Sequence, residues 1–230
     1  MEVRALTFDV FGTLLDWRST ISSAFRESGL DVDPADLADS WRVRALAATQ
    51  DVNQGRRPWR GFDGLHEDTL GEVLAERGLE VGDEGRAALV GAWHRLDPWP
   101  DVPAGLEALR RGRVVAALSN GNLALLVDLA RHGDLRFDCL LSAEFAQVYK
   151  PEGKVYLTGV GLLGLEPSEV MMVAAHPFDL QGARRAGLRT AFIDRPLEYG
   201  PGSPPREDPE ADLWVADLDE LATRLESSSG

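Results

Sequence analysis

Cysteine is almost missing from this chain. Cys139 stands alone, which excludes an internal disulfide and fits a reducing compartment. Positive charge is scarce as well: 24 Lys and Arg face 38 Asp and Glu, for a formal net charge of −14. A surface so poor in cations is not a nucleic-acid surface, because phosphate binding needs clustered Lys and Arg. Any anionic substrate must be caught by a few local cations, since the field of the whole chain repels it. No apolar run approaches the roughly 20 residues that span a bilayer. The opening stretch MEVRALTFDVFG carries acidic Glu2 and no long apolar core, so it reads as a strand and not as a signal peptide. There is no internal repeat. A cytoplasmic protein without nucleic-acid or membrane partners is the expectation.

The chain does have enough apolar material for one good core and a smaller subdomain: 230 residues, 44% of them hydrophobic. Four short apolar runs, VRALTFDV, RVVAALSN, EVMMVAAH and RTAFID, read as buried strands. Helical patterns lie between the later three: LALLVDLARHG stops at Gly133, KVYLTGVGLLGL follows, and DLQGARRAGL closes with Gly187. Strands alternating with helices predict an α/β fold with a parallel sheet covered on both faces. Such a sheet gathers ligands at the carboxyl ends of its strands. Those ends fall at Asp9, at Ser119 and Asn120, and around His176 to Asp179.

Residues 16–97 contain only helical stretches and read as an inserted subdomain, with DPWPDVPAG as the return linker. RPLEYGPGSPPREDPEAD is too rich in Pro and Gly for a helix and is expected to be a surface loop. DLWVADLDELATRLE supplies a last short strand and helix, and SSSG reads as a frayed end.

Asp9 lies in FDVFGTLLD, residues 8–16. An isolated Asp at a strand end commonly caps a turn. It is also ionised at neutral pH, with an ordinary pKa of about 3.9, and can attack an electrophile without a base. Gly12 lets the backbone turn tightly beside it, and the Thr13 hydroxyl can orient one carboxylate oxygen or make an ordinary turn bond.

Four pieces stand in order: DVFGTL, LSNGN, YKPEGKVY and VAAHPFDLQGARRAG. Together they resemble the haloacid dehalogenase superfamily, and within it the 2-haloacid dehalogenase (type II) branch, over essentially the whole chain. The resemblance implies a Rossmann-like catalytic core of residues 1–15 and 98–230, with residues 16–97 as a helical cap. It implies a catalytic set of Asp9, Thr13, Arg42, Ser119, Asn120, Lys150, Tyr156, His176 and Asp179. Asp9 is the nucleophile, and Lys150 holds it ionised and attracts an anionic substrate. Arg42, in SWRVRA, lies beside the departing halide, where a guanidinium stabilises charge that develops in the transition state; its alternative is a solvated Arg on a helix. Asn120 joins it around the halide, and Ser119 binds the substrate carboxylate; either can instead cap the helix beginning LALLVDL. Tyr156 is a site residue or a core ring on its helix. Asp179 helps activate the hydrolytic water. Phe11 and Phe178 line the substrate-binding site.

Departures from the family pattern are as informative. Phosphatases of the superfamily place a general-acid Asp two residues after the nucleophile, where this chain has Phe11. They place a magnesium-binding Asp where this chain has Ala175, and magnesium wants several oxygen ligands. Both losses suit a halide, which departs as an anion without protonation. In the fourth motif the 2-haloacid dehalogenases have Ser, Asn and Trp where Ala174, His176 and Phe178 stand here. His176 therefore replaces the Asn as a hydrogen-bond partner, helps deprotonate water, or is a satisfied His at a strand end. ALAATQ replaces an LEYTWL-like stretch after the cap Arg, which leaves acyl chain and stereochemistry open. The expected activity is metal-independent, cofactor-free hydrolysis of small 2-haloalkanoic acids to 2-hydroxy acids through an aspartyl ester. The rivals are a phosphatase and a catalytically silent binding module. A homodimer follows from the resemblance alone.

Overall fold

Asp9 lies one residue beyond a strand that is buried along its whole length. The computed structural model describes residues 3–227, and the chain runs β1 (Ala5–Phe8), β2 (Leu15–Asp16), α1 (Trp17–Glu27), α2 (Pro34–Asn53), α3 (Phe62–Glu76), α4 (Asp83–Ala92), β3 (Asp97–Pro98), α5 (Val102–Leu109), β4 (Val114–Ser119), α6 (Leu123–His132), β5 (Cys139–Ser142), α7 (Gly153–Leu163), β6 (Val170–Ala174), α8 (Pro177–Arg185), β7 (Arg189–Ile193), β8 (Leu213–Val215) and α9 (Leu218–Ser227). Of the expected frayed end only Ser227 falls within the described residues, where it closes α9.

A six-stranded sheet has the order β5-β4-β1-β6-β7-β8, with every pairing parallel. β1 and β6 carry no exposed residue, as strands covered on both faces require. The chain travels outward from β1 through β4 to β5, then crosses to β6 and travels outward the other way. That reversal puts the ligand-gathering crevice of a parallel sheet at the carboxyl end of β1. The register brings Phe8 level with Ala117 and Val173, so Asp9, Ser119 and the residues after Ala174 emerge along one edge. Four of the expected strands and the final β8–α9 pair are present. β5 was not expected: CLLS is a four-residue edge strand, too short to show a pattern of its own.

Helices α1 to α4 pack on one another between β2 and β3, which pair as a short antiparallel ribbon, Leu15 with Pro98 and Asp16 with Asp97. Asp33 caps α2 by accepting from the Ala35 N–H at 2.9 Å, with Pro34 in the first turn. The buried stripe of α2 runs through Leu37, Ala38, Trp41, Ala45, Ala48 and Val52, and Arg42 lies beside Trp41 on that stripe. Trp17, Trp41, Trp93, Phe25 and Phe62 fill the space between these helices. No helix among the described residues is long and apolar enough to cross a membrane.

The Pro- and Gly-rich segment after β7 is the expected loop and exposed over much of its length, but it also sends charges inward. Arg195, Glu198 and Asp208 within it are buried, and Glu198 has no exposed surface at all. Charges enter the interior only when paired. Arg195 shows how: its Nε donates to the Thr13 carbonyl at 2.8 Å, its Nη1 and Nη2 grip Asp101 at 2.8 and 2.9 Å, and its guanidinium lies over Trp99. Trp99 in turn donates to the Gly12 carbonyl at 2.9 Å. The return linker is thus fastened to the loop that carries Asp9. Arg195→Met should cost about 3 kcal/mol, because it strands a half-buried Asp101 and a buried carbonyl; urea denaturation measures it, and a loss below 1 kcal/mol would show the linker to be anchored elsewhere.

Candidate active site

Three sheet ends and one loop converge on Asp9. Its own N–H continues the ladder by donating to the Val173 carbonyl at 3.0 Å, which fixes the backbone while the side chain turns out of the sheet edge. Three residues on, Gly12 adopts φ +84°, and a Cβ there would sit 2.1 Å from Glu198 Oε1. Only glycine meets both conditions.

The carboxylate is held from two sides. Lys150 Nζ donates to Asp9 Oδ1 at 2.8 Å and to Asp179 Oδ2 at 2.6 Å. Thr13 Oγ1 donates to Asp9 Oδ2 at 2.8 Å and accepts from the Ala175 N–H at 3.0 Å. His176 Nδ1 lies 2.9 Å from the same Oδ2, and its Nε2 lies 3.0 Å from Glu198 Oε1. Tyr156 is a ring with no exposed surface on α7, and it donates to Asp179 Oδ1 at 2.5 Å.

Ser119 and Asn120 do not cap α6. Asn122 occupies that position, Glu144 accepts from the Leu123 N–H at 2.9 Å, and Asn120 Oδ1 instead accepts from the Lys150 N–H at 2.8 Å. Ser119 stays local, accepting from the Gly121 N–H at 3.1 Å.

Arg42 is no solvated helix residue. Only 5% exposed, its guanidinium lies 5.6 Å from the ring centres of Phe11 and Trp17 and 6.0 Å from that of Trp93. Its Nε and Nη1 have no hydrogen-bond partner. Buried donors left unpaired are costly, and two on one cation mark a seat for an anion. Phe11 joins this box to the nucleophile loop, with its ring 5.4 Å from Phe62 and 6.0 Å from Trp93. Phe178, 42% exposed, leans on the His176 ring at 5.5 Å. It lines an opening of about 260 Å³ with Asn120 and Lys150, faced by Leu46, Ala47, Thr49 and Gln50 of α2.

Burial would raise the Asp9 carboxyl, but the Lys150 ammonium and His176 override it and hold Asp9 well below the usual carboxylate range. Asp179 moves the other way: burial raises it, and the Asp9 charge adds to the effect against Lys150. Burial also disfavours a charged His176, yet Glu198 and Asp9 on its two nitrogens push it up to about 9. Glu198 is held at about 2 against burial by His176 and Arg206. Two carboxylates with pKa values pushed apart mark different tasks, one a permanent anion and the other a proton acceptor. At neutral pH Lys150, His176, Arg206 and Arg42 face Asp9, Asp179 and Glu198, so this small region carries excess positive charge inside an acidic protein. Both ring nitrogens of His176 are turned to carboxylate oxygens that can only accept, an arrangement that suits a hydrogen-bond donor and leaves no ring nitrogen facing a water.

A family model of haloacid dehalogenase-like hydrolases matches residues 3–187. The chain belongs to that family, in its 2-haloacid dehalogenase branch. The haloacid dehalogenase relatives include an (S)-2-haloacid dehalogenase of Pseudomonas sp. (strain YL), 34% identical over 84% of this chain and 83% of the relative. A solved L-2-haloacid dehalogenase superposes with a TM-score of 0.92 at 45% identity, covering 98% of this chain and 99% of the other. An L-2-haloacid dehalogenase from Xanthobacter autotrophicus, solved with chloropropionic acid covalently bound, gives a TM-score of 0.86 at 27% identity, covering 99% of this chain and 100% of the other.

Sequence reading missed Glu198, Arg206, Trp17 and Trp93. A single Glu in a Pro-rich loop carries no local signal, and a Trp on a helix reads as core. Gly182 of α8 shows how tightly the site is supported: a Cβ there would meet Tyr156 Oη at 2.7 Å and the Pro151 carbonyl at 2.8 Å. Gly182→Ala should cost about 1–3 kcal/mol and depress turnover by displacing Tyr156 from Asp179; thermal denaturation beside an activity assay checks both, and an unaffected variant would show that this corner yields freely.

Proposed function

We propose that this haloacid dehalogenase-like hydrolase converts small 2-haloalkanoic acids into 2-hydroxy acids through an ester on Asp9, without a metal, and that residues 16–97 serve as the cap over the site. The observation that carries the reading is the aromatic box around Arg42. A buried guanidinium with two unpaired N–H donors, adjoining the nucleophile loop through Phe11, suits an apolar carbon bearing a group that leaves as an anion. The relatives support it by name, and one of them by a covalently held chloropropionic acid.

In this reading Asp9 attacks C2, and the carbon–halogen bond breaks with its electron pair going to the halide beside Arg42 and Asn120. Ser119 receives the substrate carboxylate, since Glu144 already takes the first N–H of α6. Water then attacks the Asp9 ester carbonyl, with Asp179 as proton acceptor, its raised pKa suiting that task. The apolar mouth lined by Leu46 and Ala47 favours short acyl chains. A cytoplasmic homodimer completes the proposal, the dimer on family resemblance and the compartment on the lone Cys139.

The donor set speaks against magnesium and a phosphate ester. Asp9 and Asp179 already share one ammonium, the third position is Ala175, and Phe11 offers no proton to a leaving alcohol. Halide release from (S)-2-chloropropionate should persist in excess EDTA, whereas a magnesium requirement with activity on phosphate esters would replace this reading with the phosphatase. Arg42→Lys and Arg42→Ala should each lower turnover about 10²–10³-fold, by loss of the fork and then the charge; near-wild-type rates in both would remove Arg42 from the chemistry. The ester itself is tested by one turnover in ¹⁸O-water with enzyme in excess. Unlabelled hydroxy acid with label on the Asp9 peptide is expected, and labelled product with unlabelled Asp9 would mean direct attack by water. Asp9→Asn should abolish turnover with the fold intact.

A further inference from the structure

The mechanism above leaves a buried ion chain unused. Glu198, with no exposed surface, accepts from Trp17 Nε1 at 3.1 Å and contacts His176 through Oε1, while Arg206 pairs with its Oε2. A fully buried carboxylate is costly, and Gly12 leaves the space that this one occupies. His176 lies between two carboxylates, neither able to donate, so both of its ring nitrogens must carry protons.

The donors on Asp9 are also divided unequally. Oδ1 has Lys150, which is shared with Asp179; Oδ2 has Thr13 and His176. Oδ1 is therefore the freer oxygen and the one to attack C2, which leaves Oδ2 as the carbonyl oxygen of the ester.

We propose that His176 is the electrophile of the second half-reaction: together with Thr13 it binds Asp9 Oδ2 as that oxygen becomes an oxyanion, and Glu198, backed by Arg206, is the positioning residue that keeps it charged. The inference rests on the ester reading above. Water adds to Cγ of Asp9 and gives one proton to Asp179, while the carbonyl pair moves onto Oδ2. That full negative charge then lies 2.9 Å from His176 Nδ1 and 2.8 Å from Thr13 Oγ1. The pair returns, the Cγ–Oδ1 bond breaks, and Oδ1 leaves on C2 as the product alkoxide, taking the proton back from Asp179. Asp9, now a carboxylic acid with one oxygen from water, releases its proton to solvent. The first half-reaction spreads the charge of Asp9 onto the halide, so a cation on Oδ2 does not help it. The second concentrates charge on Oδ2, where a preorganised cation lowers the barrier.

The two steps therefore separate in a variant. His176→Asn keeps an N–H near Oδ2 and removes the charge. Rapid-quench kinetics on 2-chloropropionate should show a halide burst of one equivalent at the wild-type rate or faster, followed by turnover about 10²-fold slower. The Asp9 peptide should carry the acyl fragment by mass spectrometry during that slow phase. A burst slowed as much as turnover, or turnover left unchanged, overturns the role given to His176 while the ester reading stands. A wild-type enzyme that puts no label on Asp9 in ¹⁸O-water overturns both.

Glu198→Gln supplies a second readout. The groups facing His176 are Asp9, Thr13, Glu198 and the Phe178 ring, with Lys150, Asp179 and Arg206 one bond beyond. The protonated form is the active one; in the ester the Asp9 charge that helps raise His176 is gone and Glu198 is the carboxylate that holds its proton, so wild-type deacylation should fall along an alkaline limb below about 9. Lys150 and Tyr156 are both raised above their ordinary values and stay clear of that limb. Without the Glu198 charge His176 loses its proton earlier, so Glu198→Gln should retain deacylation at low pH and lose it at a lower pH than wild type. An alkaline limb that does not move overturns the positioning role.

Discussion

One ammonium group shared by two buried carboxylates organises this protein. Lys150 reaches both Asp9, which follows β1, and Asp179, on the first turn of α8, and so pins the central strand edge to the helix that follows β6. Removing a charge from such a triad leaves an uncompensated ion in the interior, which costs far more than the intact arrangement contributes. The surrounding structure meets that constraint at several points. Asn120 fixes the Lys150 backbone, Tyr156 takes the second oxygen of Asp179, and Gly182 is small because Tyr156 stands against it. Two carboxylates bound to one cation also stop being equivalent: Asp9, with the cationic His176 on its other oxygen, becomes the stable anion, and Asp179, with only the neutral Tyr156 there and less exposed surface, becomes the more basic.

Much of this was legible in the amino-acid order because parallel strands advertise themselves. Buried along most of their length, β1, β4, β6 and β7 read as largely apolar runs, and each ends within two residues of a polar one. The ends Asp9, Ser119 and His176 could thus be placed on one edge before any coordinate. β5 escaped because four residues at an edge, half of them only partly buried, show no periodicity. Arg42 was ambiguous for a different reason. Its neighbour Arg44 pairs with Glu72 and Glu76 nearer the surface, and two arginines two residues apart look alike in a string of letters. Only the packing of Trp17 and Trp93 separates them.

Glu198 marks the limit of sequence reading. Proline and glycine around it predict irregular backbone, and irregular backbone usually lies on the surface. The inference about the backbone was sound; the inference about burial held for most of the segment and failed at Arg195, Glu198 and Asp208. Irregular chain can fold inward when every charge it carries finds a partner, and Arg195, Glu198, Arg206 and Asp208 all do. The partners are distant in sequence, Thr13 and Asp101 among them, so no local pattern could announce them.

The reversal of charge between the site and the rest of the molecule has a kinetic consequence. A small anion approaching a protein of net charge −14 is repelled until it comes within reach of Lys150, His176 and Arg42, and attracted thereafter. Dissolved ions shorten only the outer part of that profile, since the Debye length is about 8–10 Å near physiological ionic strength and the cations of the site lie buried behind Phe178 and α2. Added salt thus lowers the outer barrier and leaves the inner well, and capture of a carboxylate substrate quickens with ionic strength, opposite to a protein whose whole surface steers its ligand inward.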